Sequence, residues 1–213
     1  KYRPSELKDI VLDEINSNIL NSIIEKEHFP NLLLYGPPGT GKTTTIINLI
    51  KSYQEKMQNI DSKMVIHLNA SDERGIDIIR YQINNFVNSK GFFENGVKFI
   101  ILDEIDYMTK NAQQALKYLV QAYNFNIRFC LICNYISKVD ESLQNEFVKF
   151  RFSYLENKNI YNFLNKINNK EKLNLDSEKI INIINYYKND IRSMINYMQC
   201  NSISELKILT SKN

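Results

Sequence analysis

Eight consecutive residues, Gly36-Pro37-Pro38-Gly39-Thr40-Gly41-Lys42-Thr43, follow the pattern G-x-x-x-x-G-K-[ST], with Thr44 directly after them. Glycines at this spacing let backbone N–H groups turn inward around phosphate oxygens, and a following helix adds the favourable potential of its N-terminus. Lys42 has the length to reach β- and γ-phosphates, and the Thr43 hydroxyl is placed to ligand Mg²⁺. A Gly/Pro turn that merely precedes a helix is the alternative. It loses weight because an apolar strand enters the loop and a helical pattern leaves it.

A second group lies sixty residues on. Phe99-Ile100-Ile101-Leu102 reads as a strand ending in Asp103-Glu104. Delivered by a strand beside the phosphate loop, Asp103 would join Thr43 at the metal. Glu104, one step further, would orient and polarise the attacking water, a positioning role that phosphoryl transfer requires. Asn134, an uncharged donor after the strand Phe129 to Cys133, could sense a γ-phosphate through a hydrogen bond. The set implies nucleoside triphosphate and Mg²⁺ as cofactors, and hydrolysis rather than binding alone.

The elements that must position these groups alternate along the chain. Leu32 to Tyr35, Met64 to Leu68, Phe99 to Leu102 and Phe129 to Cys133 read as strands buried on both faces, and Phe147 to Phe152 as a more exposed one. Thr43 to Met57, Ile76 to Asn88 and Ala112 to Tyr123 carry helical periodicity between them. Strand–helix–strand repeats predict a parallel sheet flanked by helices. Nothing after Gly96 is Gly or Pro, and from about Glu156 only helical patterns remain, ending near Ser202. The expected organisation is an α/β nucleotide-binding domain over residues 1–155 and a small all-helical lid over 156–213.

Composition narrows the class. The 213 residues carry a net charge of +3, 43% hydrophobic and 24% charged residues, which excludes wholesale disorder. No apolar run is long enough to span a membrane, and Lys1 to Pro4 lack the apolar core of a secretion signal. Three cysteines cannot form a disulfide framework, which points to a reducing compartment. About 30 isoleucines and about 30 asparagines exceed usual proportions and point to coding bias in an A/T-rich genome. There is no initiator Met, so the chain is expected to be a piece of a longer one.

Beyond the phosphate loop, Lys1-Tyr2-Arg3-Pro4, Leu68-Asn69-Ala70-Ser71-Asp72-Glu73-Arg74-Gly75-Ile76-Asp77 and Ala112-Gln113-Gln114-Ala115-Leu116 resemble the small subunits of replication factor C, the AAA+ sliding-clamp loader. The resemblance implies a P-loop AAA+ sheet with a helical lid. It also implies an ATPase that helps open a sliding clamp and load it on primer-template DNA, within a hetero-pentamer of clamp-loader subunits in the nucleus, away from any membrane. By resemblance, Asn134 is the first sensor and Arg192, in Asp190-Ile191-Arg192, the second. Tyr2, Arg3, Pro4, Ile10 and Val11 border the adenine, and Arg74 and Arg80 touch the DNA backbone. The resemblance also implies a C-terminal collar domain, which is expected to lie outside these 213 residues. Where the family carries Ser-Arg-Cys, this chain reads Gln144-Asn145-Glu146-Phe147. Glu146 thus stands where an arginine finger would act on a neighbour, and the chain's own site would need such an arginine from a neighbouring subunit.

Two other functions fit the same fold: a nucleotide-binding scaffold subunit that never turns over, and another AAA+ DNA-processing ATPase. A GTPase would need an Asn-Lys-x-Asp element, and Asn165-Lys166-Ile167-Asn168 does not supply one. Cys130 and Cys133 have half a zinc-site spacing, but on a strand they point to opposite faces and read as core. His28 and His67 lack ligand-spaced companions. Ile180-Ile181, Ile183-Ile184 and Tyr186-Tyr187 read as core of the lid.

Overall fold

The computed structural model describes residues 4, 7, 10, 12–71, 75–89, 96–123, 126–188 and 190–203. The chain divides into two compact units, one of Pro4–Pro37 and Gly41–Ser153, the other of Pro38–Thr40 and the chain from Tyr154 onward.

The first unit opens with a helix that the periodicity reading passed over, α1 (Glu14–Glu25). Asp13 caps it, its carboxylate accepting the Asn16 N–H at 2.8 Å. Its apolar stripe is incomplete, because Leu20 and Ile23 are buried while Ile15 is 73% exposed. β1 (Leu32–Tyr35) leads through the glycine loop into α2 (Lys42–Lys56), then β2 (Val65–Asn69), α3 (Gly75–Asn88), β3 (Lys98–Asp103) and α4 (Lys110–Ala122) follow. β4 (Ile127–Cys133), a single turn α5 (Glu141–Gln144) and β5 (Val148–Arg151) complete the unit.

All five strands are parallel, in the order β2-β3-β4-β1-β5. One expectation is corrected by this order. β2 is an edge strand with His67 and Asn69 exposed, so it is not buried on both faces. β3 is separated from the loop-bearing β1 by β4. β5 is the other edge, with only Phe150 buried.

Alternation sorts the core into two layers. Leu33, Leu131 and Cys133 face Ile79 and Ile83 of α3 and Leu116 and Val120 of α4. Leu32, Leu34, Cys130 and Ile132 face Leu20 and Ile23 of α1 and Ile46, Leu49 and Ile50 of α2. Each fully buried aliphatic side chain contributes about 1.5–3 kcal/mol, so α2 is held firmly under the loop that it terminates. The two cysteines are core residues on opposite faces, and burial pushes both thiols up, away from nucleophilic chemistry.

The helical unit contains α6 (Asn157–Glu171), α7 (Ser177–Tyr187) and α8 (Ile191–Ile203). Ile160, Leu164, Ile167, Ile180, Ile183, Ile184, Met194 and Met198 form its own core. Ile181 and Tyr186 are not part of it, being 48% and 79% exposed.

Candidate active site

In a parallel sheet, ligands are bound beyond the carboxyl ends of the strands, and here the ends of β1, β3 and β4 supply the polar groups. β1 stops at Gly36, whose φ of +144° is left to glycine; a Cβ there would lie 2.0 Å from the Phe152 carbonyl oxygen. The loop re-enters regular structure at Gly41, φ +91°, and α2 begins at Lys42. Pro37, Pro38, Gly39 and Thr40 form the intervening backbone, and Thr44 lies half-buried in the first turn of α2.

The Lys42 side chain is buried at 6% exposure. Its ammonium donates to the Gly36 and Pro37 carbonyls, each at 2.8 Å, and to Asn134 Oδ1 at 3.0 Å. The Thr43 hydroxyl donates to Asp103 Oδ2 at 2.8 Å, across the intervening strand. The other Asp103 oxygen accepts the Glu104 N–H at 2.9 Å. Burial alone would raise the Asp103 pKa, but the nearby His67 imidazole and hydrogen bonds from Thr43 and the Glu104 amide outweigh it and hold the carboxyl below its usual range. Glu104 follows in the left-handed region, φ 59° and ψ 37°. A non-glycine residue pays about 1–3 kcal/mol to sit there, and the turn aims its half-buried side chain away from the direction the strand would have given it.

Thr43 and Asp103 fit a Mg²⁺ ion. Both offer hard oxygens, and their 2.8 Å separation is close to the roughly 3 Å edge between adjacent ligands of a Mg²⁺ octahedron. Lys42, Thr43, Asp103 and Asn134 are therefore brought together, with Glu104 adjoining Asp103 in sequence. Of the groups expected at the adenine, the Pro4 carbonyl accepts from Asn48 Nδ2 at 2.9 Å, and the Ile10 N–H donates to the Leu7 carbonyl at 3.2 Å. Tyr2, Arg3, Val11 and Arg74 lie outside the described residues. Arg192 belongs to the helical unit, in the first turn of α8, where its N–H donates to Asp190 Oδ1 at 3.1 Å. Arg80 is exposed on α3, 3.9 Å from Asp77. Glu146 accepts a hydrogen bond from Gln121 Nε2 at 2.7 Å.

Two residues of the site escaped the sequence reading. Asp106 is 5% exposed, and its Oδ2 accepts the N–H groups of Asn134 and Tyr135 at 3.3 and 3.2 Å. It fixes the backbone that carries the Asn134 amide. The local signal was a third acidic residue just past the strand. His67 of β2 is the other, its Nε2 3.7 Å from Asp103 Oδ2. Its companion comes from the next strand, so no spacing within β2 could reveal it.

Residues 32–154 match the model of the ATPase family associated with various cellular activities, AAA. Replication factor C subunit 3 of Schizosaccharomyces pombe is 40% identical over 200 residues, 93% of this chain and 57% of that protein. Human replication factor C subunit 5 is 38% identical over 209 residues, 98% of this chain and 61% of that protein. The probable subunit 5 of Dictyostelium discoideum is 40% identical, with 97% and 59% covered. The chain thus spans about three fifths of the length of these relatives. Among solved structures, the Thermotoga maritima RuvB Holliday junction branch migration motor superposes with a TM-score of 0.70 at 15% identity, over 92% of this chain and 64% of that one, a likeness of fold.

Proposed function

The chain belongs to the AAA family of ATPases, and from that premise we propose that it is an ATP-driven subunit of a sliding-clamp loader of the replication factor C type. The observation that carries the proposal is the meeting of Thr43 with Asp103, and of Lys42 with Asn134, in a chain about 40% identical to replication factor C subunits.

In this reading the glycine loop and the α2 N-terminus bind the triphosphate. Lys42 exchanges its carbonyl partners for phosphate oxygens, because a charge-assisted bond to an anion is the stronger one. Thr43 and Asp103 would hold Mg²⁺, which would supply positive charge to offset that of the phosphates. Glu104 orients the attacking water, and Asn134, braced from behind by Asp106, reports the γ-phosphate. Arg192 on the helical lid, proposed as residues 156–213 after a nucleotide-binding domain of 1–155, contacts phosphate as the second sensor. Pro4 and Ile10, with Tyr2, Arg3 and Val11, border the adenine.

The activating arginine comes from a neighbouring subunit of a hetero-pentameric ring. Glu146, an acid where the resemblance puts that finger, repels phosphate, so this chain receives activation and does not supply it. Arg80 and Arg74 contact the backbone of primer-template DNA, and the ring acts on a sliding clamp in the nucleus.

The test is Mg-ATP binding and turnover by this chain, alone and with its neighbouring subunits, against Glu104→Gln. Tight binding with little turnover alone, and turnover in the ring that Glu104→Gln lowers by at least about a hundredfold, is the expected result. Brisk turnover by the lone chain would overturn the ring mechanism.

A further inference from the structure

His67 stands opposite Ile101 in the β2–β3 ladder, and alternation puts Asp103, two residues on, on the same face. The imidazole therefore reaches diagonally across the strand pair to the carboxylate. Its Nε2 lies 3.7 Å from Asp103 Oδ2, the oxygen that also accepts the Thr43 hydroxyl at 2.8 Å. The His67 side chain is 41% exposed and Asp103 22%, so water and ions reach the pair from the open edge of the sheet.

We infer that His67 belongs to the divalent-cation site and gives it a nitrogen neighbour that shifts its preference from Mg²⁺ toward first-row transition ions. This rests on the nucleotide-site reading above. Two ligands of one ion lie about 3 Å apart when adjacent and about 4.2 Å when opposite, for bonds near 2.1 Å. The Nε2–Oδ2 separation of 3.7 Å is longer than the adjacent spacing and shorter than the opposite one, so a small side-chain adjustment separates it from either. The imidazole is within reach of an ion on Asp103 or of a water in its shell, with no change of strand register. Mg²⁺ takes oxygen ligands and keeps its waters, whereas Co²⁺ and Ni²⁺ bind imidazole readily. Partners of this kind alter metal affinity by about 10–100-fold when removed.

The chain contains only two histidines, which makes the inference directly readable. Protein carrying ¹⁵N-histidine is loaded with ADP and Mn²⁺ and examined by electron–nuclear double resonance. His28, before β1 at the opposite end of the strands, is removed as His28→Gln to leave His67 as the single labelled site. A ¹⁵N coupling to Mn²⁺ that disappears in His67→Val is expected. In the same variant the Co²⁺-over-Mg²⁺ affinity ratio, measured by competition against Mn²⁺-ADP, is expected to fall about tenfold.

ADP and Mn²⁺ bound with no ¹⁵N coupling, or an unchanged Co²⁺/Mg²⁺ ratio, would overturn the inference. Failure of the chain to bind fluorescent ADP at all would instead sink the nucleotide-site reading, so the two failures are told apart.

Discussion

The loop after β1 and the corner after β3 meet at one site and are made of different materials. The first is backbone: Gly36 and Gly41 at positive φ, and carbonyls that Lys42 engages. The second is side chains, Asp103 and Asp106, each defined by partners on other elements. A backbone-built loop depends on space and torsion, so a single methyl group can abolish it. A side-chain-built corner depends on pairing, so its groups fail one at a time and in proportion to the bonds they lose.

The largest effect should come from the loop. Gly36→Ala combines a left-handed torsion with a Cβ 2.0 Å from the Phe152 carbonyl oxygen, and should cost more than about 3 kcal/mol. Gly41→Ala has a φ of +91° but nothing within 4 Å of the new Cβ, so only the torsional cost of about 1–3 kcal/mol applies. Urea unfolding of both variants measures the gap. Equal losses would mean that torsion alone governs the loop and that the close approach of the Phe152 backbone is immaterial.

The same difference explains what could be read from sequence. The phosphate loop is local, its glycines and lysine falling within eight residues, and its role followed from spacing. Asp103 and Glu104 were legible as a strand end, but nothing in the sequence showed that β4 lies between β3 and β1. Thr43 meets Asp103 by reaching sideways from α2 over the end of β4. Strand order is set by long-range packing of two hydrophobic layers and leaves no mark on a single strand. For the same reason β2 looked like a central strand. His67 and Asp106 were missed as site residues because the partners that define them lie on a neighbouring strand or just beyond its end. α1 was missed because its stripe mixes buried Leu20 and Ile23 with exposed Ile15 and Ile19, and includes a buried Asn16 that donates to the Arg151 carbonyl.

At the acidic corner the intermediate effect is expected from Asp106. One of its oxygens accepts two amides and the other is buried with no hydrogen-bond partner among the described residues. Asp106→Ala leaves the Asn134 and Tyr135 amides without their acceptor and should cost about 1–3 kcal/mol. Asp106→Asn keeps an acceptor and removes a buried charge, so it should cost less than alanine. Its amide, turned so that oxygen meets the backbone, would put a donor where the orphaned oxygen now lies. If asparagine is as damaging as alanine in urea titrations, the charge itself holds the end of β4, and hydrogen-bond satisfaction is the wrong account.

The smallest effect is the pH dependence of Asp103. Desolvation pushes its pKa up, the neighbouring His67 imidazole and hydrogen bonds from Thr43 and the Glu104 amide push it further down, and the net folded value is depressed. In the unfolded chain the group titrates near the ordinary aspartate value of about 3.9. A depressed folded pKa means that the unfolded state binds the proton first, so stability falls as pH is lowered through this range. The Asp103 contribution is therefore fully present above the unfolded value and lost as pH drops through the folded one. Asp103→Asn cannot titrate. The stability gap between wild type and this variant should be flat at neutral pH and narrow below about pH 4. With Asp103 partly open to solvent, screening keeps the change small, and salt should shrink it further. A gap that stays constant to the acid limit would mean that Asp103 gains nothing from its charge in the free chain. The corner would then be held by neutral hydrogen bonds, whereas the glycine loop is held in part by the charged Lys42 ammonium on its carbonyls.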